Sequence, residues 1–184
     1  MTGINALGRA ELAAVVVETL ASAGIEAVLV GGSCVCVYTN ERFGSLDLDF
    51  IDMTYARKKE IAAALTKIGF IPRGASRYFE RKGCQWSIEF PPAPLAIGHE
   101  KITGDRVAEL ETASGMLRLL NPTDCVKDRL LWWYLENDGQ CWEQALNVAH
   151  NRKILWDDLK SWHEGEGYAG QFETFRTAVG AFRL

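Results

Sequence analysis

Two carboxylates one residue apart, Asp47 and Asp49, carry the clearest chemical signal in the chain. They sit in Leu46-Asp47-Leu48-Asp49-Phe50, whose alternation of apolar and acidic residues predicts a strand. Side chains alternate across a strand, so both acids share one face while Leu46, Leu48 and Phe50 share the other, expected to be buried. The strand rise sets the two like charges about 7 Å apart. A cation is expected between them. Mg²⁺, or Mn²⁺ in its place, suits carboxylate oxygens and keeps coordination positions for water or substrate phosphates.

Upstream, the apolar run Val28-Leu29-Val30 ends in Gly31-Gly32-Ser33, followed by a segment of helix length from Ser33 to Asn40. Glycines at the end of a strand let backbone approach an anion, and a helix starting there points free N–H groups and its positive dipole end at it. Ser33 adds a hydroxyl. A metal site and a phosphate site are therefore expected side by side; the bland alternative is a plain turn and a strand with a solvated acidic face.

A Gly-Gly-Ser turn, about a dozen residues, then Asp-x-Asp on the next strand resembles the DNA polymerase β-like nucleotidyltransferase superfamily. The stretch Arg42-Phe43-Gly44-Ser45-Leu46-Asp47-Leu48-Asp49 is closest to its minimal bacterial members, including those of toxin–antitoxin modules. The resemblance implies that Asp47 and Asp49 hold metal and that Gly31, Gly32 and Ser33 cradle the β and γ phosphates. It implies that Arg42 neutralises phosphate charge or braces the loop. A third carboxylate is implied on a later strand, and Glu89 in Gln85-Trp86-Ser87-Ile88-Glu89-Phe90 is the candidate, as metal ligand or base; the alternative is a surface glutamate. A basic residue on the helix after the sheet, Lys127 or Arg129, is implied to face the nucleotide.

The elements that must position these residues follow from periodicity. Leu12, Val15, Val16 and Leu20 predict an amphipathic helix over 9–23, stopped by Gly24. A strand over 26–30, a helix over 55–68 capped by Asp52, one or two strands within 70–80, a strand over 85–90 and a hairpin of 107–111 with 116–120 follow. Composition then shifts. Asn121-Pro122-Thr123-Asp124 is a helix start, and helices are expected at 122–137, 140–150, 155–163 and 168–182, with their tryptophans serving mainly as core. Gly165-Glu166-Gly167-Tyr168-Ala169-Gly170 spells a dinucleotide fingerprint but follows no strand, so it reads as a turn. The fold class is α/β (α+β): a small mixed sheet forming a nucleotidyltransferase core over 1–120, with helices on one side, and an α-helical C-terminal subdomain over 121–184.

At 48% hydrophobic and 24% charged residues the composition is that of a globular protein, which excludes disordered and fibrous classes. A net charge of −4 argues against a general nucleic-acid coat. The five cysteines are odd in number and scattered, which suits reduced thiols in a cytoplasmic protein, and neither a leader nor a membrane span is expected. Together with the resemblance, these features imply a Mg²⁺-dependent enzyme that moves a nucleoside monophosphate from a nucleoside triphosphate to a hydroxyl on RNA, protein or a small molecule, with an antitoxin as possible partner. The alternative is a catalytically inactive module of the same fold that binds a nucleotide or a partner.

Overall fold

The computed structural model describes residues 3–182. Its centre is β1 (Ala27–Val30), four consecutive buried residues, as expected of a strand covered on both faces. β1 pairs antiparallel with β2 (Asp47–Asp52) and parallel with β9 (Gly115–Leu120). Beyond β2 lie β5 (Ser87–Glu89), β4 (Tyr78–Glu80) and β3 (Ile71–Pro72), and beyond β9 lies β8 (Val107–Thr112). Among the described residues these form a mixed seven-stranded sheet in the order β3-β4-β5-β2-β1-β9-β8, with a separate pair of β6 (Ala96–Ile97) and β7 (Glu100–Lys101).

The predicted α1 is Arg9–Ala21, with Leu12, Val16 and Leu20 buried and Gly24 at φ +76° closing it. The helix after β1 starts earlier than expected: α2 is Gly31–Tyr38, so both glycines belong to its first turn. α3 is shorter, Lys58–Thr66 rather than 55–68, because Tyr55 takes a left-handed φ of +56° and Arg57 is the N-cap. Asp52 caps the preceding turn instead of the helix, its carboxylate accepting from the backbone N–H groups of Thr54 and Ala56. Leu46 is also corrected. It is 79% exposed, because β2 begins only at Asp47.

The four C-terminal helices fall close to expectation: α4 (Pro122–Glu136), α5 (Gly139–Asn151), α6 (Trp156–Gly165) and α7 (Ala169–Ala181). Asn121 caps α4 by accepting from Asp124 N at 2.9 Å. One apolar core joins Leu29, Leu48, Phe50 and Ile88 of the sheet to Val126, Leu130, Leu159 and Phe175 of these helices. Trp142 packs edge-on against Phe175, and Trp162 donates its indole N–H to Ile97 O. Trp132 is the exception, half-exposed on α4. His163 is core: Nδ1–H donates to Leu159 O, Nε2 accepts from Tyr134, and burial lowers its pKa. The Gly165–Gly170 segment joins α6 to α7 as a turn. No described helix is long and apolar enough to cross a membrane.

Candidate active site

The alternation read from sequence holds from Asp47 onward: Leu48 and Phe50 are fully buried, while Asp47 and Asp49 are half-buried on the opposite face. The parallel register of β2 with β5 sets Asp47 beside Ser87 and Asp49 beside Glu89. Residues directly opposite in neighbouring strands share a face. Glu89 is thereby delivered to the two aspartates, and one carboxylate oxygen from each of Asp47, Asp49 and Glu89 lies within 4.8 Å of the others. Among the described residues this is the one cluster of three or more potential metal ligands.

Three acids so close cannot all be comfortably ionised. Burial, and then the charge and hydrogen bond of Glu89 and the charge of Asp47, push Asp49 up to about 7, with Arg129 opposing. Glu89 is itself buried and forms an ion pair with the exposed Arg77.

The start of α2 meets this cluster. Gly31 has φ +65°, and a β-carbon on it would lie 2.7 Å from Asp49 Oδ2. Gly31, Gly32, Asp49 and Glu89 line one wall of a cleft of about 560 Å³, with Arg129 and Trp132 of α4 on another. The first-turn N–H groups of a helix have no intrahelical acceptor, which makes such a terminus a ready anion site.

Ser33 is placed differently from the other cradle residues. It is fully buried, and its hydroxyl donates to Asp47 O while accepting from Arg9 Nη1 at 2.7 Å. It therefore braces the Asp strand. Arg9 also reaches Ser45 O at 3.2 Å and the Glu41 carboxylate at 2.9 Å, and its guanidinium lies 5.2 Å from the Trp86 ring centroid. Arg9 did not stand out in the sequence, yet its spacing from Ala13, Val16 and Leu20 puts it on the buried stripe of α1, a signal in itself.

Arg42 is exposed and does not line the cleft. Lys127 does not line it either: fully buried, its ammonium pairs with Glu100 at 2.8 Å and Asp158 at 3.0 Å, with Asp124 at 3.6 Å. Arg129 does line the cleft, held by Asp128 at 2.6 Å. The structure thus brings together Asp47, Asp49, Glu89, Gly31, Gly32 and Arg129, adds Arg77 and Trp132, and sets Ser33 behind the strand.

No protein-family model and no curated protein matches the sequence. Among solved structures, the chain is similar to the antibiotic-resistance factor ANT(2'')-Ia, an aminoglycoside nucleotidyltransferase, with a TM-score of 0.52 at 12% identity. The likeness covers 88% of this chain and 94% of that one. The chain has a nucleotidyltransferase-like fold. With that breadth of cover, the likeness reaches well past the Gly-Gly turn and the Asp strand.

Proposed function

We propose that the protein is a nucleotidyltransferase that moves a nucleoside monophosphate from a nucleoside triphosphate to an acceptor hydroxyl, using Mg²⁺ or Mn²⁺. One observation carries the reading: three carboxylates within 4.8 Å of one another, two of them, Asp49 and Glu89, on the wall of a cleft that also holds the glycine-rich start of α2. The donor set fits such an ion, being all carboxylate oxygen and free of the cysteine or histidine that softer metals favour. Asp47, Asp49 and Glu89 would hold it, and when bound it would neutralise charge on the reacting phosphates.

The chain's own residues supply the rest. Backbone N–H groups at Gly31 and Gly32 bind the phosphates, and Arg129 adds positive charge across the cleft. Trp132 offers a half-exposed ring on which a base can stack. Glu89 is the residue placed to take the acceptor's proton, because it lies on the strand beyond Asp49. Arg9 and Ser33 hold Asp47's backbone so that its carboxylate stays aimed into the cluster. The acceptor hydroxyl belongs to RNA, a protein side chain or a small molecule. A cytoplasmic setting belongs to the same reading through the scattered cysteines, and an antitoxin partner through the likeness of Arg42 to Asp49 to toxin–antitoxin enzymes.

A second reading, a non-catalytic module of the same fold, draws on the Arg77–Glu89 ion pair, which occupies the third carboxylate. Incubation with each nucleoside triphosphate and Mg²⁺, following pyrophosphate release in the presence of RNA, protein and small-molecule acceptor pools, separates the two. Release lost in Asp49→Asn supports the enzyme; Mg²⁺-dependent binding with no release from any pool supports the module.

A further inference from the structure

The cation on Glu89 comes from an unusual place. Glu89 has a side chain only 7% exposed, and a carboxylate so buried is costly unless paired. Its partner, Arg77, is 54% exposed and ends the exposed connection between β3 and β4. The Arg77 main chain is fixed to the sheet, since Phe90 N–H donates to Arg77 O at 3.1 Å, and only the side chain reaches over the carboxylates. Tyr78 is paired in register with Glu89 on the neighbouring strand. Arg129, the other cation of the cleft, is 11% exposed and clamped by Asp128, so it is not free to leave.

Arg77 also lines a second, adjoining pocket of about 370 Å³ with Tyr55, Phe79 and Phe90. A guanidinium moving off Glu89 thus has a neighbouring place with aromatic faces that favour it. We propose that Arg77 is a positioning residue that serves as Glu89's counter-ion in the metal-free protein and must leave that carboxylate when a divalent cation takes its place. The proposal rests on the metal-site reading above. It explains how a cluster of three acids stays folded before metal arrives: Arg77 stabilises the empty cluster and, for the same reason, competes with the ion.

The test measures Mn²⁺ affinity at pH 8 from the spectrum of free Mn²⁺, with thermal melting of the metal-free proteins alongside. Wild type, Arg77→Gln and Arg77→Lys are compared. Arg77→Gln is expected to bind Mn²⁺ about three- to fivefold tighter, the scale of a partly exposed ion pair, and to melt lower without metal, with the gap closing at saturating Mn²⁺. Arg77→Lys, which keeps charge without the forked contact, is expected to fall between the two and serves as the test if the Gln variant does not fold. Mn²⁺ affinity equal to or weaker than wild type in the variants, with wild type binding normally, overturns the role of Arg77 and leaves the metal site standing. No binding by any of the three proteins overturns the metal site and this role together.

Discussion

A β-carbon at Gly31 would sit 2.7 Å from Asp49 Oδ2, closer than such contacts occur, so the helix terminus and the carboxylate cluster share one space. Gly31→Ala is therefore expected to act twice. The left-handed φ of +65° costs about 1–2 kcal/mol for an alanine. The new methyl also pushes the short Asp49 side chain away from Asp47 and Glu89. Urea unfolding reads the first effect, and nucleotide affinity reads the second. Gly32→Ala, whose β-carbon meets Ser45 Oγ at 3.4 Å without a positive φ, is expected to be milder in both.

Arg9 and Ser33 form the brace behind β2. Removing a buried guanidinium that serves Ser33, Ser45 and Glu41 leaves those acceptors short of a donor, and Arg9→Met is expected to cost roughly 2 kcal/mol in urea unfolding. Arg9→Lys recovers little of it, because an ammonium cannot span the three partners as the planar fork does. A Lys variant as stable as wild type would contradict this account of Arg9.

Lys127 and Arg129 are expected to separate by phenotype. Lys127→Met leaves Asp124, Glu100 and Asp158 with Arg106 as their remaining cation, and loss of one member of a buried network costs about 3–5 kcal/mol. Its effect belongs to stability, read by melting temperature. Arg129→Met should weaken triphosphate binding at a temperature where the variant is folded. The two residues lie two positions apart on α4, roughly 200° around the helix, so one faces the buried network while the other reaches the cleft. From sequence alone, either could have been the cation that faces the cleft.

Asp49 makes the metal-free protein sensitive to pH. With a folded-state pKa of about 7 against an ordinary 3.8, the folded protein keeps a proton the unfolded chain has released. The group's contribution to stability is therefore present below about pH 4 and is lost as pH rises to about 7, with a slope of at most about 1.4 kcal/mol per pH unit. Asp49→Asn removes that slope and is expected to melt higher than wild type at pH 8 without metal. Metal binding must expel the same proton, so Mn²⁺ affinity should fall as pH drops below about 7. Parallel stability–pH curves for the two proteins would contradict the assignment.

Much of the site was legible because it is local. Asp47 and Asp49 are two residues apart on a strand, and the period of two fixes their shared face. Gly31 and Gly32 follow an apolar run that reads as a short strand. Glu89 needed the resemblance, because its approach to Asp49 depends on a parallel register between strands forty residues apart. The role of Ser33 was hidden for a similar reason: its hydroxyl is directed by Arg9, twenty-four residues upstream, and only the packing of α1 against α2 brings them together. Leu46 obeyed the alternation and still faces solvent, since it precedes the first residue of β2. Trp132 reads like its packed neighbours, but its position on α4 turns it to the cleft.

The central claim is that Asp47, Asp49 and Glu89 form a metal-dependent nucleotide site, and calorimetric titration of nucleoside triphosphates with and without Mg²⁺ tests it most directly. The wild-type protein is expected to bind at least one triphosphate in Mg²⁺, with binding lost on chelation and in both Asp47→Asn and Asp49→Asn, while those variants remain folded. Binding of equal strength without the metal, or in the two variants, would contradict it.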